Sequence, residues 1–357
     1  MTRPNRMMRW IKRLFLLIIV GGLAAAGGGW WIYRQVIEPY RGYGESEVFV
    51  DIPSGAGPNR IAEQLVGAGV VRDPFTFRAA LLISGRARAL KAGEYRFSES
   101  MHALDVIDKI ARGDVYKRLI TFREGLTITE MAQVFEDRGL GAAADFEKAA
   151  SNAQLIVDLD PAARDLEGYL FPETYSLPSR TPASDVVAQM VTGFRDALSP
   201  DIRANAEKAG LSVRQLVTLA SLVEKETGAA PERPLVAAVY SNRLKIHMGM
   251  QADPTVIYAL TKAGRYKGNL SRENLQFDSP YNTYKYSGLP PGPIAAPGRA
   301  SLAAAAQPAD VDYLYFVSKN DGTHVFASTL AEHNRNVNTW QVEYFRKQRQ
   351  NREPVKR

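Results

Sequence analysis

The stretch Ser212–Gly228, "SVRQLVTLASLVEKETG", reads as one helix, and what it buries decides the fold around it. Ser212 and Gln215 have the spacing of a capping box, and Gly228 supplies a stop. At about 100° per residue, Val213, Leu216, Val217, Ala220 and Val223 gather on one apolar stripe. Arg214, Thr218, Ser221 and Lys225 form the polar face. Glu224 falls about 20° from Val213, inside the stripe, and Glu226 falls at its edge. Burying the stripe therefore buries Glu224. A carboxylate in such a place is costly unless it is paired, hydrogen-bonded or protonated. Desolvation favours the protonated form of a carboxyl, which is the state a general acid needs. The helix alone leaves a second reading open, a structural carboxylate satisfied by a neighbouring cation such as Arg243.

Outward from this helix, helices alternate with Gly- and Pro-rich loops. Helices are expected near 183–197, 201–209 and 212–227, and from Pro231 to about Lys245. "ADPTVIYALT" (252–261) opens with Asp253 as N-cap and Pro254 in the first helical position. "YNTYKYSGLPPGPIAAPG" (281–298) is too rich in Pro and Gly to be helical. "LEGYLFPETYSLP" (166–178) reads as a loop dense in aromatics and acids. "DYLYFVSKNDGTHVFAS" (312–328) reads as a hairpin turning at Asn320-Asp321-Gly322, and the polar tail after Phe345 is expected to be disordered.

Towards the N-terminus a repeat appears. "VDIPSGAGPNRIAEQLVGAGVV" (50–71) matches "ITFREGLTITEMAQVFEDRGLG" (120–141) at an offset of 70 residues. Each copy predicts a short strand, a glycine turn and an amphipathic helix stopped by glycine. Between them, 91–100 alternates like a strand and 103–114 like a helix ended by Gly113. The result is a small α+β module, read either as plain packing or as a glycan-binding module of the LysM type.

Leu14–Tyr33 is uncharged and mostly apolar. As a helix it spans roughly 30 Å, the thickness of a bilayer core. Trp30, Trp31 and Tyr33 stand where an interfacial belt belongs, and the basic flank before the segment places the N-terminus in the cytoplasm. A signal peptide cleaved at Ala24–Ala26 is the alternative, but the apolar run continues through Trp30-Trp31-Ile32, which argues for an anchor.

The formal charge of +7 sits on the tails: residues 1–13 carry +5 and residues 346–357 carry +5, which leaves the body at −3. A nucleic-acid binder carries its basic footprint on the folded domain, so no nucleic-acid partner is expected. The absence of cysteine excludes disulfides and thiol chemistry. No phosphate-binding loop, G-x-S-x-G or H-E-x-x-H motif is present, the four histidines lack metal spacing, and no cofactor or metal is expected. What remains is acid/base chemistry by carboxylates on a neutral polymer. Asn242, Gln251, Asp253, Tyr281, Asn282, Thr283 and Tyr284 could grip a sugar.

"LEGYLFPETY", "ASLVEKET", "VYSNRL", "MQADPTVIYAL", "SPYNTYKYSGLPPGPIAAPG" and "YLYFV…GTHVFASTLAEHN" resemble, in that order, the endolytic murein transglycosylase (YceG-like) family. The resemblance implies an α+β chain with a transmembrane helix (14–33) after a cytoplasmic tail (1–13) and a juxtamembrane linker (34–46). A LysM-like module (47–120), a mainly helical α+β catalytic domain (121–345) and a basic tail (346–357) would follow. It implies a single-pass protein of the inner membrane with its catalytic domain in the periplasm. The partners it implies are peptidoglycan glycan strands and peptidoglycan synthases. It places the catalytic glutamate on Glu224, with Glu173, Tyr175, Glu226, Asn242, Gln251, Asp253 and Tyr281–Tyr284 as substrate-binding residues. The implied reaction is lytic transglycosylation, in which the MurNAc C6 hydroxyl captures C1 and leaves a 1,6-anhydro end. A non-catalytic wall-binding scaffold and an ordinary hydrolase, with Glu226 or Asp253 as its second carboxylate, are the rival readings.

Overall fold

A computed structural model describes residues 6–178 and 181–352. Arg3 of the expected cytoplasmic tail, and Glu353, Lys356 and Arg357 of the expected basic tail, lie outside the described residues. The chain divides into two units. One runs to Arg118 and includes Pro178; the other holds Leu119–Leu177 and the chain from Thr181 onward.

In the first unit, helix α1 (Arg6–Ile37) is long and apolar enough over Trp10–Ile37 to cross a membrane. It ends by burying Val36 in the unit's core, with Ile32 packed beside it. Strand β1 (Val48–Ile52) pairs antiparallel with β2 (Gly93–Phe97), from Val48 opposite Phe97 to Ile52 opposite Gly93. Between them lie α2 (Pro58–Gly67) and α3 (Pro74–Ser84), and α4 (Ala103–Arg112) follows. Ile61, Leu65, Phe77, Val106 and Ile110 pack on Val50, Ile52, Tyr95 and Phe97, each large apolar side chain contributing about 1.5–3 kcal/mol. Helix α3 is absent from the sequence expectation. It buries Phe77, Ala80 and Leu81 yet exposes Phe75, Leu82 and Ile83, so no single apolar stripe announces it.

The second unit takes in most of β3 (Lys117–Thr121), then α5 (Ile128–Asp137) and α6 (Ala143–Ala150). Strand β4 (Thr174–Pro178) pairs with β3, so the stretch expected to be loop at 166–178 ends in a strand. Helices α7 (Ala183–Ala197), α8 (Pro200–Lys208), α9 (Val213–Glu226), α10 (Arg233–Lys245) and α11 (Asp253–Lys262) follow. An irregular stretch leads to α12 (Arg299–Ala306). The hairpin β5 (Tyr315–Ser318) and β6 (His324–Ala327) turns with Asn320 and Gly322 at positive φ, 64° and 86°.

Helix α9 starts at the expected capping box, Ser212 with Gln215. Every residue from Leu216 to Val223 is buried, including Thr218 and Ser221 of the expected polar face. Helices α8, α10, α11 and α12 pack around it, so the helix is enclosed rather than two-faced. Ser221 is satisfied locally: its hydroxyl donates to the Thr218 carbonyl at 2.7 Å and accepts the Ile294 amide at 3.1 Å. Two boundaries also differ. The N-cap of α11 is Ala252, with Asp253 and Pro254 inside the first turn. After α13 (Leu330–Val337) and a π turn (Asn338–Glu343), the described part of the polar tail beyond Phe345 is helical, carried by α14 (Tyr344–Arg352).

Candidate active site

The two glutamates of α9 leave its last turn in different directions. Glu224 is 6% exposed at its side chain. One oxygen accepts the Gly298 amide at 3.0 Å and the other lies 3.5 Å from Arg233 Nη2. Arg233 opens α10 and is itself 11% exposed. The expected partner Arg243 is elsewhere. Its guanidinium donates to the carbonyls of Leu314, Met250 and Gly249 at 2.6, 2.7 and 3.3 Å. A wheel gives a side chain's direction but not which basic residue of the next helix meets it.

Arg233 also reaches Glu124, at 3.7 Å, on the loop between β3 and α5. Burial raises the Glu124 carboxyl first and the charge of Glu224 adds to it, while Arg233 opposes both. The loop is pinned by backbone: the Gly125 amide donates to Ala296 and the Ala296 amide to Leu126, both at 2.8 Å. Lys225 Nζ caps the Gly125 carbonyl at 3.0 Å.

Glu226 accepts a 2.6 Å hydrogen bond from Tyr240 on α10. The residue as a whole is only partly buried, but its carboxyl is desolvated, which pushes it up to about 7. The Asp253 charge adds to the rise, while the Tyr240 bond, His324 and Arg243 oppose it. Asp253 accepts from the Tyr284 hydroxyl at 2.6 Å. Gln251 is exposed and held at φ 51°, an uncommon conformation for a residue other than glycine and a form of strain that clusters at functional sites. Glu226, Asp253 and Tyr284 thus act on one another, with Gln251 two residues before Asp253.

The other expected sugar-binding residues are distributed differently. Asn282 is fully buried and donates to the Leu275 and Phe277 carbonyls at 2.9 and 2.7 Å. Thr283 is buried against Thr255, its hydroxyl accepting the Ala252 amide at 3.0 Å. These two build the loop that presents Tyr284. Tyr281 packs on Tyr258 with ring centroids 4.9 Å apart. Asn242 ties α10 to the Val311 and Tyr313 carbonyls at 2.7 and 3.1 Å. Tyr175 lies in the core and donates to the Phe171 carbonyl at 2.8 Å. Glu173 is exposed beside β4, with its carbonyl accepting the Phe122 amide at 3.0 Å.

Sequence reasoning missed Arg233, Glu124, Tyr240 and Gly298. For Glu124 a signal existed: at the offset of 70 residues the first copy of the repeat has Ser54 where the second has Glu124.

The comparisons with known proteins converge on one group. Residues 50–339 match the model of the YceG-like family. A Bacillus subtilis (strain 168) protein named endolytic murein transglycosylase is 34% identical over 327 residues, covering 85% of this chain and 87% of that protein. A protein of the same name from Streptococcus pneumoniae serotype 2 is 31% identical over 340 residues, covering 85% of this chain and 61% of its own length. The crystal structure of a yceG-like protein from Listeria monocytogenes matches with a TM-score of 0.56 at 31% identity, over 81% of this chain and 98% of that one.

Proposed function

This chain belongs to the YceG-like family, and from that membership and the geometry of α9 we propose that it is an endolytic murein transglycosylase. The observation that carries the chemistry is Glu224, a nearly buried carboxylate held between the Gly298 amide and Arg233. Glycosidases ordinarily use two carboxylates, one of them to activate water or to attack C1. In lytic transglycosylation the nucleophile is the substrate's own C6 hydroxyl, so one proton carrier suffices. Glu224 protonates the leaving GlcNAc oxygen. As carboxylate it then takes the proton of the MurNAc C6 hydroxyl as C1–O6 closes, and the 1,6-anhydro end forms. The exposed Gln251, Asp253, Tyr284 and Glu173, with Glu226 behind them, are the residues assigned to hold the sugars.

In the same reading α1 anchors the protein in the inner membrane with its N-terminus in the cytoplasm, and residues 121–345 work in the periplasm on nascent strands beside a synthase. Residues 47–120 serve as the LysM-like glycan-binding module. The support is the apolar length of α1, its basic flank and the family membership.

Digestion of purified peptidoglycan by the full chain tests the reading through end-group mass spectrometry. Anhydro ends are expected. Reducing ends would make the protein a hydrolase, and unchanged strands would make it a binding scaffold.

A further inference from the structure

Arg233 presents one guanidinium to two carboxylates, 3.5 Å from Glu224 and 3.7 Å from Glu124. An arginine alone beside a carboxylate favours its ionised form. The first step proposed for Glu224 needs the opposite, a proton on that carboxyl. We propose that Glu124 is a positioning residue for the same reaction: by sharing Arg233 it leaves Glu224 able to carry its proton. This rests on Glu224 being the proton carrier.

The placement of Glu124 is built rather than incidental. Gly125 sits at φ 77°, in the left-handed region that favours glycine, and its amide and carbonyl are both held, by Ala296 and by Lys225. A Cβ at residue 298 would collide with the Glu124 carboxylate, so Glu124 lies over Gly298. The amide of that same glycine donates to Glu224. Two carboxylates, one guanidinium and one amide therefore share a single small site.

The other charged groups near Glu224 are committed elsewhere. Lys225 is spent on the Gly125 carbonyl, and Glu226 is bonded to Tyr240. Among the described residues Arg233 is the cation paired with Glu224. The repeat points the same way, because the first copy places the uncharged Ser54 at the equivalent turn.

The test is the pH profile of kcat/KM on glycan strands for the full-length wild type, Glu124→Gln and Gly298→Ala, each with a thermal melt. Gly298 has φ −75°, which alanine adopts freely, so its Cβ should displace the Glu124 carboxylate without removing it. Glu124→Gln removes the second charge beside Arg233, and Gly298→Ala shifts it. The alkaline limb should move to lower pH, and the rate should approach wild type at acid pH. Should Glu124→Gln fail to fold, Gly298→Ala reads the same displacement. A variant that melts like wild type and changes the rate by one factor at every pH, or not at all, overturns the proposal, since a structural carboxylate would not move the limb. A wild type that forms no anhydro ends at any pH overturns the transglycosylase reading and this inference together. Wild-type activity with unmoved limbs overturns this inference only.

Discussion

The two copies of the repeat reach nearly the same backbone and put it to different uses. Both turn at a glycine of positive φ, 76° at Gly55 and 77° at Gly125, and both stop their helices at another, 70° at Gly69 and 69° at Gly139. Both bury the same three helical positions, Ile61, Ala62 and Leu65 in one and Met131, Ala132 and Phe135 in the other. They differ in what surrounds the turn. A Cβ on Gly55 would meet open space, whereas one on Gly125 would touch Glu224 and Lys225. The helix of the first copy starts at Pro58 behind an uncapped Gly57, while that of the second starts at a capping box of Thr127 and Glu130. A local fold is decided by turn chemistry and hydrophobic spacing. Whether it serves a site depends on what else packs there.

The largest effect is expected at the site that the second copy borders. Glu224→Gln keeps the shape and removes the proton carrier proposed above. It should lower the formation of anhydro ends by at least about 10²–10⁴-fold with little change in melting temperature. A variant retaining more than about a tenth of the wild-type rate would leave Glu224 a structural residue.

The next effect compares the two turns directly. Gly55→Ala and Gly125→Ala each force alanine into the left-handed region, at about 1–2 kcal/mol. Melts should therefore fall alike. Only Gly125→Ala should also slow cleavage of short strands, by about ten- to a hundredfold, because it shifts the loop that carries Glu124. Equal rate losses in both would remove the distinction between the copies.

Glu226 gives a smaller, pH-dependent effect. Its folded carboxyl stands at about 7 against an ordinary 4.5. A raised value means that the folded state holds the proton more tightly. Its contribution is thus fully present below about 4.5 and lost as pH rises through about 7. Glu226→Gln removes that loss. The variant should gain on wild type between pH 5 and 8, by at most about 3 kcal/mol, in denaturant titrations at each pH. Glu167, also pushed up to about 7 by burial, titrates in both proteins and cancels in the difference. A gap that stays constant with pH would show that Glu226 is not desolvated.

The smallest effect is the cap. Thr127→Ala should cost about 1 kcal/mol in a denaturant melt. The first copy has no side-chain cap to lose at Gly57.

Much of this was legible in the chain because it rests on local chemistry. The offset of 70 residues, the Asn320-Asp321-Gly322 turn and the Ser212 capping box each belong to a few neighbouring residues. The direction of Glu224 was legible as well, since helical spacing fixes it. What its carboxylate meets was not. Arg233 in place of Arg243, the enclosure of Thr218 and Ser221, and the covering of Glu226 by Tyr240 all depend on α10, α12 and the 290–298 stretch arriving from elsewhere. Helix α3 was hidden for a related reason: its outward Phe75, Leu82 and Ile83 blur the periodicity that its buried face would show. The Asp73 cap, which accepts the Phe75 and Thr76 amides, was the local signal that marked its start.

In the proposed reaction a single carboxylate suffices because the substrate brings its own nucleophile. Digestion of glycan strands in water enriched in heavy oxygen, followed by mass spectrometry of the new MurNAc ends, tests it most directly. The wild type should yield anhydro ends with no heavy oxygen, and Glu224→Gln should yield none of them. New reducing MurNAc ends in place of anhydro ends, beyond those in an enzyme-free control, would show that water attacks C1 and that the substrate does not bring the nucleophile.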